Sequence, residues 1–333
     1  MLSMTNQVDL SQISIRLEDI CKKVTKSISF IPSDVNISFT ETFYAPTLSC
    51  LEDINKSYPL KIDNSLINEW DIFAYDESSQ NFKALEGDLL FISSALIKIE
   101  ETYRFNLTIN PYFLTTIKKF RDTSEHHIRF NENVGEEQNK IFVECKKKAI
   151  MDNVSPHSIV FIDGPIIGGN ISDPIIKMDD ALREIDCIPV YFVKNSNSRL
   201  IIDNIPSLSQ EFNSDFHWAS HNLKESQRSP FFKYTDGHSH SKTKVFTYVK
   251  ALAGFPARVE FYTKSFEKYE NIMPQLMDLI EYLFIVQGDF ENPQIRPIAI
   301  AEKYAKEGLK IINIPAQLQK LGFQPTINQV RFG

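Results

Sequence analysis

The sequence SIVFIDGP, residues 158–165, decides the fold class of this chain. An apolar run leads into Asp163, and a glycine and a proline follow at once, which is typical of a buried strand that ends in a turn. A helical pattern precedes this strand at residues 136–150, and a second helix (179–185) and a second strand (188–193) follow it. This alternation of strands and helices predicts a mixed α/β fold.

A second stretch, FAYDESS at residues 73–79, repeats the pattern: an apolar strand ends in Asp76, and turn residues follow. Carboxylates on adjacent strand ends can share hard divalent cations, which prefer oxygen ligands. Two such ions about 4 Å apart would stabilise the attacking and the leaving oxygen in phosphodiester hydrolysis. Taken alone, each motif is also ordinary turn chemistry.

The helix between the two motifs is expected to supply a third carboxylate. We expect Glu144 in this role, because the C-terminal half of the helix lies nearer to the loop that leads into the strand of Asp163. Glu137, two turns earlier on the same helix face, is the alternative. Glu144 could instead be an exposed side chain paired with Lys147 or Lys148.

The rest of the chain divides into an N-terminal extension and one large domain. Residues 1–68 are predicted to hold a helix followed by loops, and they are a candidate contact with a second copy or a partner. Residues 69–333 form the main domain, with antiparallel strands near its start and a hairpin at residues 244–262. Two amphipathic helices follow at residues 272–284 and 298–308.

Composition excludes several classes of protein. Hydrophobic residues make up 42% and charged residues 24% of the chain, which is typical of a globular protein. The four cysteines lack CxxC spacing, so we expect neither a zinc ribbon nor disulfides, and a reducing cytoplasm fits this. No apolar run of about 18 residues is present, so no membrane span is expected. A net charge of −7 is not expected of a protein that simply coats nucleic acid, because neutralising the phosphates needs clustered lysines and arginines.

Several motifs occur in an order known from one protein family. IFAYDESS, VECKKKA and SIVFIDGPI are followed by IPVYFVKNSNSRL, LKESQRSPFF, FTYVKALAGFPARVEF and RPIAIAEKYAKEG. From about residue 72 to the C-terminus, the chain therefore resembles the NurA nuclease family.

This resemblance implies an RNase H-like mixed sheet flanked by helices, with Mn²⁺ or Mg²⁺, as two ions, held by carboxylates. Carried over to this sequence, the metal ligands are Asp76, Glu144 and Asp163. Glu302 stands where the family has His or Asp in its C-terminal helix, and it joins these three as a catalytic residue. The resemblance further implies a homodimer that degrades DNA while docked on a HerA-type hexameric ATPase.

Two positions depart from the family pattern. Gln294 stands where the family has a tyrosine, and Glu77 follows Asp76 where glycine is usual. A glutamate at position 302 can still bind or orient a metal-bound water, whereas a histidine would act as an acid or base. These departures leave open a weakened or substrate-restricted enzyme.

Three basic residues in turns are candidates for contacts with DNA phosphates. Lys194 and Arg199 flank a Ser/Asn turn after a predicted strand, and Arg228 lies in a second turn. The guanidinium fork of arginine suits a phosphate. Solvated turns are the plainer interpretation.

Together these features predict a metal-dependent deoxyribonuclease, an exonuclease or endonuclease that processes DNA ends in repair or antiviral defence. The alternative is a catalytically weakened adaptor that binds and regulates a hexameric ATPase. A sugar-bond hydrolase with paired carboxylates is a third hypothesis, although no such pairing is readable from the sequence. The P-loop motif is absent, so energy for movement along DNA would have to come from a partner.

Overall fold

The computed structural model describes residues 47–100, 103–194, 197–209, 212–237, 239, 241–289, 292–311 and 313–322. Within these residues the chain forms one mixed sheet with helices on both faces, so the predicted α/β class is confirmed. The N-terminal helix predicted within residues 1–68 lies outside the described residues.

One twelve-stranded sheet runs through the described part of the chain. Its strands are β1 (Thr47–Cys50), β2 (Tyr58–Pro59), β3 (Asp71–Lys83), β4 (Asp88–Ile99), β5 (Arg104–Thr115), β6 (Ile128–Phe130), β7 (Ser158–Asp163), β8 (Ile188–Val193), β9 (Gln227–Arg228), β10 (Phe232–Thr235), β11 (Thr243–Lys250) and β12 (Ala257–Tyr262). The strand order is β1-β10-β11-β12-β8-β7-β3-β4-β5-β6, and β9 pairs with β11 and β2. In the centre, β3, β7 and β8 are parallel neighbours, and antiparallel partners flank this trio.

Helices cover both faces of the sheet. They are α1 (Val134–Met151), α2 (Ser172–Glu184), α3 (Pro206–Ser209), α4 (Asp215–Asn222), α5 (Thr263–Lys268), α6 (Met273–Gln287), α7 (Arg296–Ile311) and α8 (Ile314–Lys320). Alternate residues of a strand point to opposite faces. In β3, Ile72 and Ala74 pack in a core with α6 and α7, whereas Phe73 and Tyr75 pack in a core with α1 and α2. Among the described helices, none combines the length and the apolar character that crossing a bilayer requires.

Most of the predicted elements are observed. α1 confirms the helix predicted at residues 136–150, β8 confirms the strand at 188–193, and β11 and β12 form the predicted hairpin. α2 begins at Ser172, earlier than the predicted residue 179. The polar segment between α3 and β11 also contains α4 and β10, which its weak apolar periodicity did not indicate.

The turn predicted directly after Asp76 is wrong. β3 continues to Lys83, because β4 pairs with it in antiparallel register along its whole length. Parallel pairing of β3 with β7 stops earlier, at Tyr75 opposite Ile162. Asp76 therefore lies at the end of the parallel part of the sheet, although its own strand continues.

The described part of the predicted N-terminal extension belongs to the same sheet. β1 pairs with β10, and β2 pairs with β9. Leu66 packs in the core that includes α6. Residues 47–68 thus share their hydrogen bonds and their core with the main domain.

Small residues bring α7 close to the sheet. Ala301, Ala305 and Gly308 are buried against β4 and β5. A Cβ atom at Gly308 would lie 2.4 Å from Ser93 Oγ and 3.2 Å from the Leu107 methyl groups. The absence of a side chain at this position therefore sets the distance between the helix and the sheet.

Three buried charges connect β11 and β12 to the loops after β7 and β8. Glu260 Oε1 accepts a hydrogen bond from Lys244 Nζ at 2.6 Å and lies 2.7 Å from Arg258 Nε. Glu260 Oε2 accepts from the backbone N–H of Ile166 at 3.1 Å, and Arg258 donates to Ser198 Oγ at 2.6 Å. Burial alone would raise the pKa of Glu260, but the charges of Lys244 and Arg258 lower it. An ionised carboxylate thus links the loop after β7 to that after β8.

We expect Gly308→Ala to lower the free energy of unfolding by about 1–3 kcal/mol, because a methyl group there overpacks the interface between α7 and the sheet. Urea unfolding followed by circular dichroism measures this change. Gly135→Ala is the matched control, since a Cβ there meets Asn133 Oδ1 at 3.6 Å. That control should be neutral or stabilising by up to about 1 kcal/mol. Equal unfolding curves for the two variants would contradict the close approach of α7.

We expect Glu260→Gln to lower the free energy of unfolding by about 3–5 kcal/mol, because Lys244 and Arg258 would lose the buried carboxylate that contacts both of them. Glu100→Gln is the control, since Glu100 pairs with Lys98 and Arg104 at a partly exposed position. Its loss should be about 1 kcal/mol or less. Chemical denaturation of both variants checks the prediction, which fails if the two losses are equal.

Candidate active site

Three charged side chains lie on one face of the sheet where its parallel strands end. Asp163 is the last residue of β7, Asp76 follows the last residue that β3 pairs with β7, and Lys194 follows β8. Two positions before Asp163 and Lys194, Phe161 and Phe192 point into the core with α6 and α7. By strand alternation, all three charged side chains leave the sheet toward α7.

The Lys194 ammonium lies among three carboxylates. Its Nζ is 3.8 Å from Asp76 Oδ2, 3.5 Å from Asp163 Oδ1 and 3.1 Å from Glu302 Oε2. Glu302 belongs to α7, which covers this face of the sheet. Asp76, Asp163, Glu302 and Lys194 are called the acidic cluster below. The structure thus brings together three of the four predicted catalytic residues.

Glu302 is held in place by donors on both of its oxygens. Gln294 Nε2 donates to Glu302 Oε2 at 3.0 Å, and Lys306 Nζ donates to Oε1 at 2.6 Å. Burial alone would raise the pKa of Glu302, but the bonds from Lys306 and Gln294 and the charge of Lys194 lower it to about 2. The carboxylate is therefore ionised at neutral pH.

Gln294 orients Glu302. Its side chain is 6% exposed. Its Oε1 is buried and has no hydrogen-bond partner among the described residues. A buried acceptor without a donor is costly, so a ligand that supplies a donor here would be stabilised.

Asp76 and Asp163 are ionised only at an electrostatic cost. Burial and the neighbouring Asp163 raise the pKa of Asp76 to about 8, although Lys194 opposes the shift. Burial also raises the pKa of Asp163, against the charges of Lys194 and Lys146. Further positive charge at the acidic cluster would favour the ionised form of Asp76.

A second lysine supports Asp163 from α1. Lys146 Nζ donates to the carbonyl oxygen of Asp163 at 3.0 Å and lies 3.4 Å from Glu77 Oε1. The lysine side chain is buried and packs over the ring of Tyr75. Glu77 thus adds a carboxylate that Lys146 balances.

Glu144 is not part of the acidic cluster. α1 packs in the core on the face opposite α7, and Glu144 pairs with Arg129 on β6. It borders a groove over β5 that also includes Asn106 and Lys148. Glu137 faces the same side, because it lies 4.0 Å from Arg129. Both predicted helix carboxylates therefore lie apart from the aspartates, on the side of α1 that faces β5 and β6.

All three predicted DNA contacts form ion pairs within the protein. Arg228 forms two hydrogen bonds with Glu52, at 2.6 and 2.7 Å, and its guanidinium lies over two aromatic rings. Arg199 donates to Asp203 at 2.9 Å. Of the three, Lys194 alone belongs to the acidic cluster, where it contacts all three carboxylates.

The acidic cluster fits a hard divalent cation by its chemistry. Its donors are all oxygens, and the Lys194 ammonium already stands where a cation is needed. As the side chains stand, the described residues include no group of three or more His, Cys, Asp or Glu that could hold an ion. The carboxylates lie 3.1–3.8 Å from Nζ. Ligand oxygens lie about 2.0–2.1 Å from Mg²⁺, so the carboxylates have to close in to bind one.

Sequence reasoning missed Lys146 and the central position of Lys194. Lys146 lies between Val143 and Ile150 on α1, at spacings of three and four residues, and both neighbours pack in the core. A lysine within an apolar stripe is the signal that could have marked it. The position of Lys194 among carboxylates depends on strand pairing and has no local signal.

No family model matches the sequence, and no curated protein matches it. Among solved structures, the NurA nuclease from Sulfolobus solfataricus is similar at 10% identity with a TM-score of 0.48, over 94% of this chain and 95% of that chain. A NurA structure with manganese is similar at 9% identity with a TM-score of 0.43, over 94% and 98%. A NurA structure bound to dAMP and manganese is similar at 10% identity with a TM-score of 0.37, over 75% and 86%. The structure comparison thus includes NurA structures among those similar to this chain.

Proposed function

We propose that this chain is a divalent-metal-dependent nuclease that hydrolyses phosphodiester bonds in DNA. In this proposal Asp76, Asp163 and Glu302 hold Mn²⁺ or Mg²⁺. The observation that carries it is the convergence of these three carboxylates, from distant parts of the chain, within 4 Å of a single cationic group. Glu144, the ligand expected from the resemblance, is replaced in this set by Glu302.

A bound divalent ion would polarise the phosphate and lower the pKa of a coordinated water. Neighbouring residues of the chain position the carboxylates that would hold this ion. Gln294 orients the ionised Glu302, and Lys146 fixes the backbone of Asp163. Positive charge near Asp76 would favour its ionised form, which is the form that binds metal.

The choice of DNA as substrate is supported by the order of the sequence motifs. The side chain of Asp163 is 29% exposed, so the acidic cluster is open to an incoming phosphate. With a net charge of −7, the protein needs local cations beside the substrate, and Lys194 and Lys306 are the cations at the acidic cluster. A second metal ion, a homodimer, a HerA-type ATPase partner and a role in repair or antiviral defence stay predictions from the resemblance.

An adaptor that regulates a hexameric ATPase is the second candidate. It is favoured by one observation: a cation of the chain itself, the Lys194 ammonium, already lies among the three carboxylates. Such a protein would keep the fold and show no hydrolysis with Mn²⁺. The nuclease is preferred because three carboxylates share a single central ammonium, and burial and the neighbouring Asp163 raise the pKa of Asp76, so further positive charge there would be favourable.

We expect the wild-type protein with Mn²⁺ to degrade linear DNA, and Asp163→Asn to lower the rate by about 100-fold or more. The basis is that even the hydrogen-bond partners of metal ligands contribute about 10–100-fold. Asp173→Asn is the matched control, since this exposed aspartate on α2 pairs with Lys242 away from the acidic cluster. Fluorescently labelled DNA measures the rates, and circular dichroism verifies folding. Equal rates for both variants would refute the proposal, and an inactive wild type would favour the adaptor.

We expect Glu144→Gln to keep the wild-type rate, because this side chain pairs with Arg129 outside the acidic cluster. Glu302→Gln, the same substitution on α7, should abolish activity, since it removes a charged ligand. The same DNA assay with Mn²⁺ compares the two. The opposite ranking, with Glu144→Gln inactive and Glu302→Gln active, would return Glu144 to the ligand set and remove Glu302 from it.

A further inference from the structure

Lys194 occupies the centre of the acidic cluster. Its Nζ contacts one oxygen from each of the three carboxylates, so the ammonium stands where a shared metal ion would have to be. Its side chain is 21% exposed, so the ammonium has a route to solvent. Lys146, in contrast, is buried and held by the carbonyl of Asp163 and by Glu77.

We propose that Lys194 is a built-in counterion that must leave the carboxylates before a divalent ion binds to them. Metal binding and release of Lys194 are then one coupled event. This inference rests on the proposed function, because it assumes that the acidic cluster is the metal site.

The geometry excludes joint occupation. A divalent ion that coordinates the three oxygens would lie within a few Å of the present position of Nζ, and like charges at that distance repel strongly in a partly buried site. The carboxylate oxygens also lie 3.1–3.8 Å from Nζ, which are distances suited to an ammonium group. A hard ion draws its oxygen ligands to about 2.0–2.1 Å. The ammonium therefore has to move away as the carboxylates close in.

The side chain of Lys194 is suited to such a movement. A lysine carries a compact point charge on a flexible four-carbon stem, so the ammonium can leave while the backbone stays in place. The carboxylates, in contrast, are mounted on β3, β7 and α7. Without metal, Lys194 offsets their repulsion and keeps the site assembled.

The test is isothermal titration of Mn²⁺ into the full-length protein and three lysine variants. We expect Lys194→Met to bind Mn²⁺ about tenfold or more tightly than the wild type, because no cation has to be displaced. Lys98→Met is the first control: Lys98 also bridges two carboxylates, and its side chain is 19% exposed, against 21% for Lys194. It should bind Mn²⁺ as the wild type does.

Lys306→Met is the second control. Lys306 contacts Glu302 from the exposed side, so its loss removes the same charge without emptying the centre of the cluster. Its effect on Mn²⁺ affinity should be much smaller, since exposed charges are screened by solvent. An equal gain in both variants would assign the effect to net charge and overturn the displacement of Lys194.

Thermal unfolding supplies a second readout. Without metal, Lys194→Met should melt at a lower temperature than the wild type, because three carboxylates lose their central counter-charge, and Mn²⁺ should remove this difference. If the methionine variant does not fold, Lys194→Gln takes its place, since it removes the charge and keeps a polar side chain.

The outcomes separate the two proposals. Unchanged or weaker Mn²⁺ binding by the Lys194 variants, with measurable binding by the wild type, overturns the counterion role and leaves the metal site standing. Absence of Mn²⁺ binding in every protein, Lys194→Met included, overturns the metal site and the counterion role together. Binding by Lys194→Met where the wild type shows none supports both.

Discussion

One ammonium group lies among three carboxylates, two at the end of the central parallel strands and one on α7. Carboxylates withdrawn from water repel each other and become protonated unless a cation lies close by. Lys194 meets this need from the strand next to that of Asp163. Strand pairing and the close approach of α7 bring these groups within a few Å of one another. The buried charges around Glu260 hold the loops after β7 and β8 in place beside them.

The two aspartates are the part of the site that could be predicted from the sequence. Each follows an apolar run, and β3 and β7 prove to be parallel neighbours whose register ends with Tyr75 opposite Ile162. The pattern predicts the end of a buried strand, and the topology then makes the two ends adjacent. The continuation of β3 beyond Asp76 was not predictable, because its polar residues are held by pairing with β4 and not by their own propensity.

The helix carboxylate that lies beside the aspartates could not be predicted, because a helical pattern does not tell which face of a sheet the helix will cover. Glu144 and Glu137 project toward β5 and β6, on the face opposite α7. Glu302 was predicted from the family resemblance, and its contact with Lys194 depends on how closely α7 packs against the sheet. Lys194 was recognised as a charged residue after a strand, but its role as a counterion depends on three partners far away in the sequence.

The stripe of Ala301, Ala305 and Gly308 has a consequence for how this protein can evolve. Larger apolar side chains at buried positions are a common route to thermostability. On α7 this route is closed, because any added bulk would lift the helix and carry Glu302 away from the strands that bear its two companion acids. Higher thermostability has to be gained elsewhere in the molecule, at positions where filling a void does not displace Glu302.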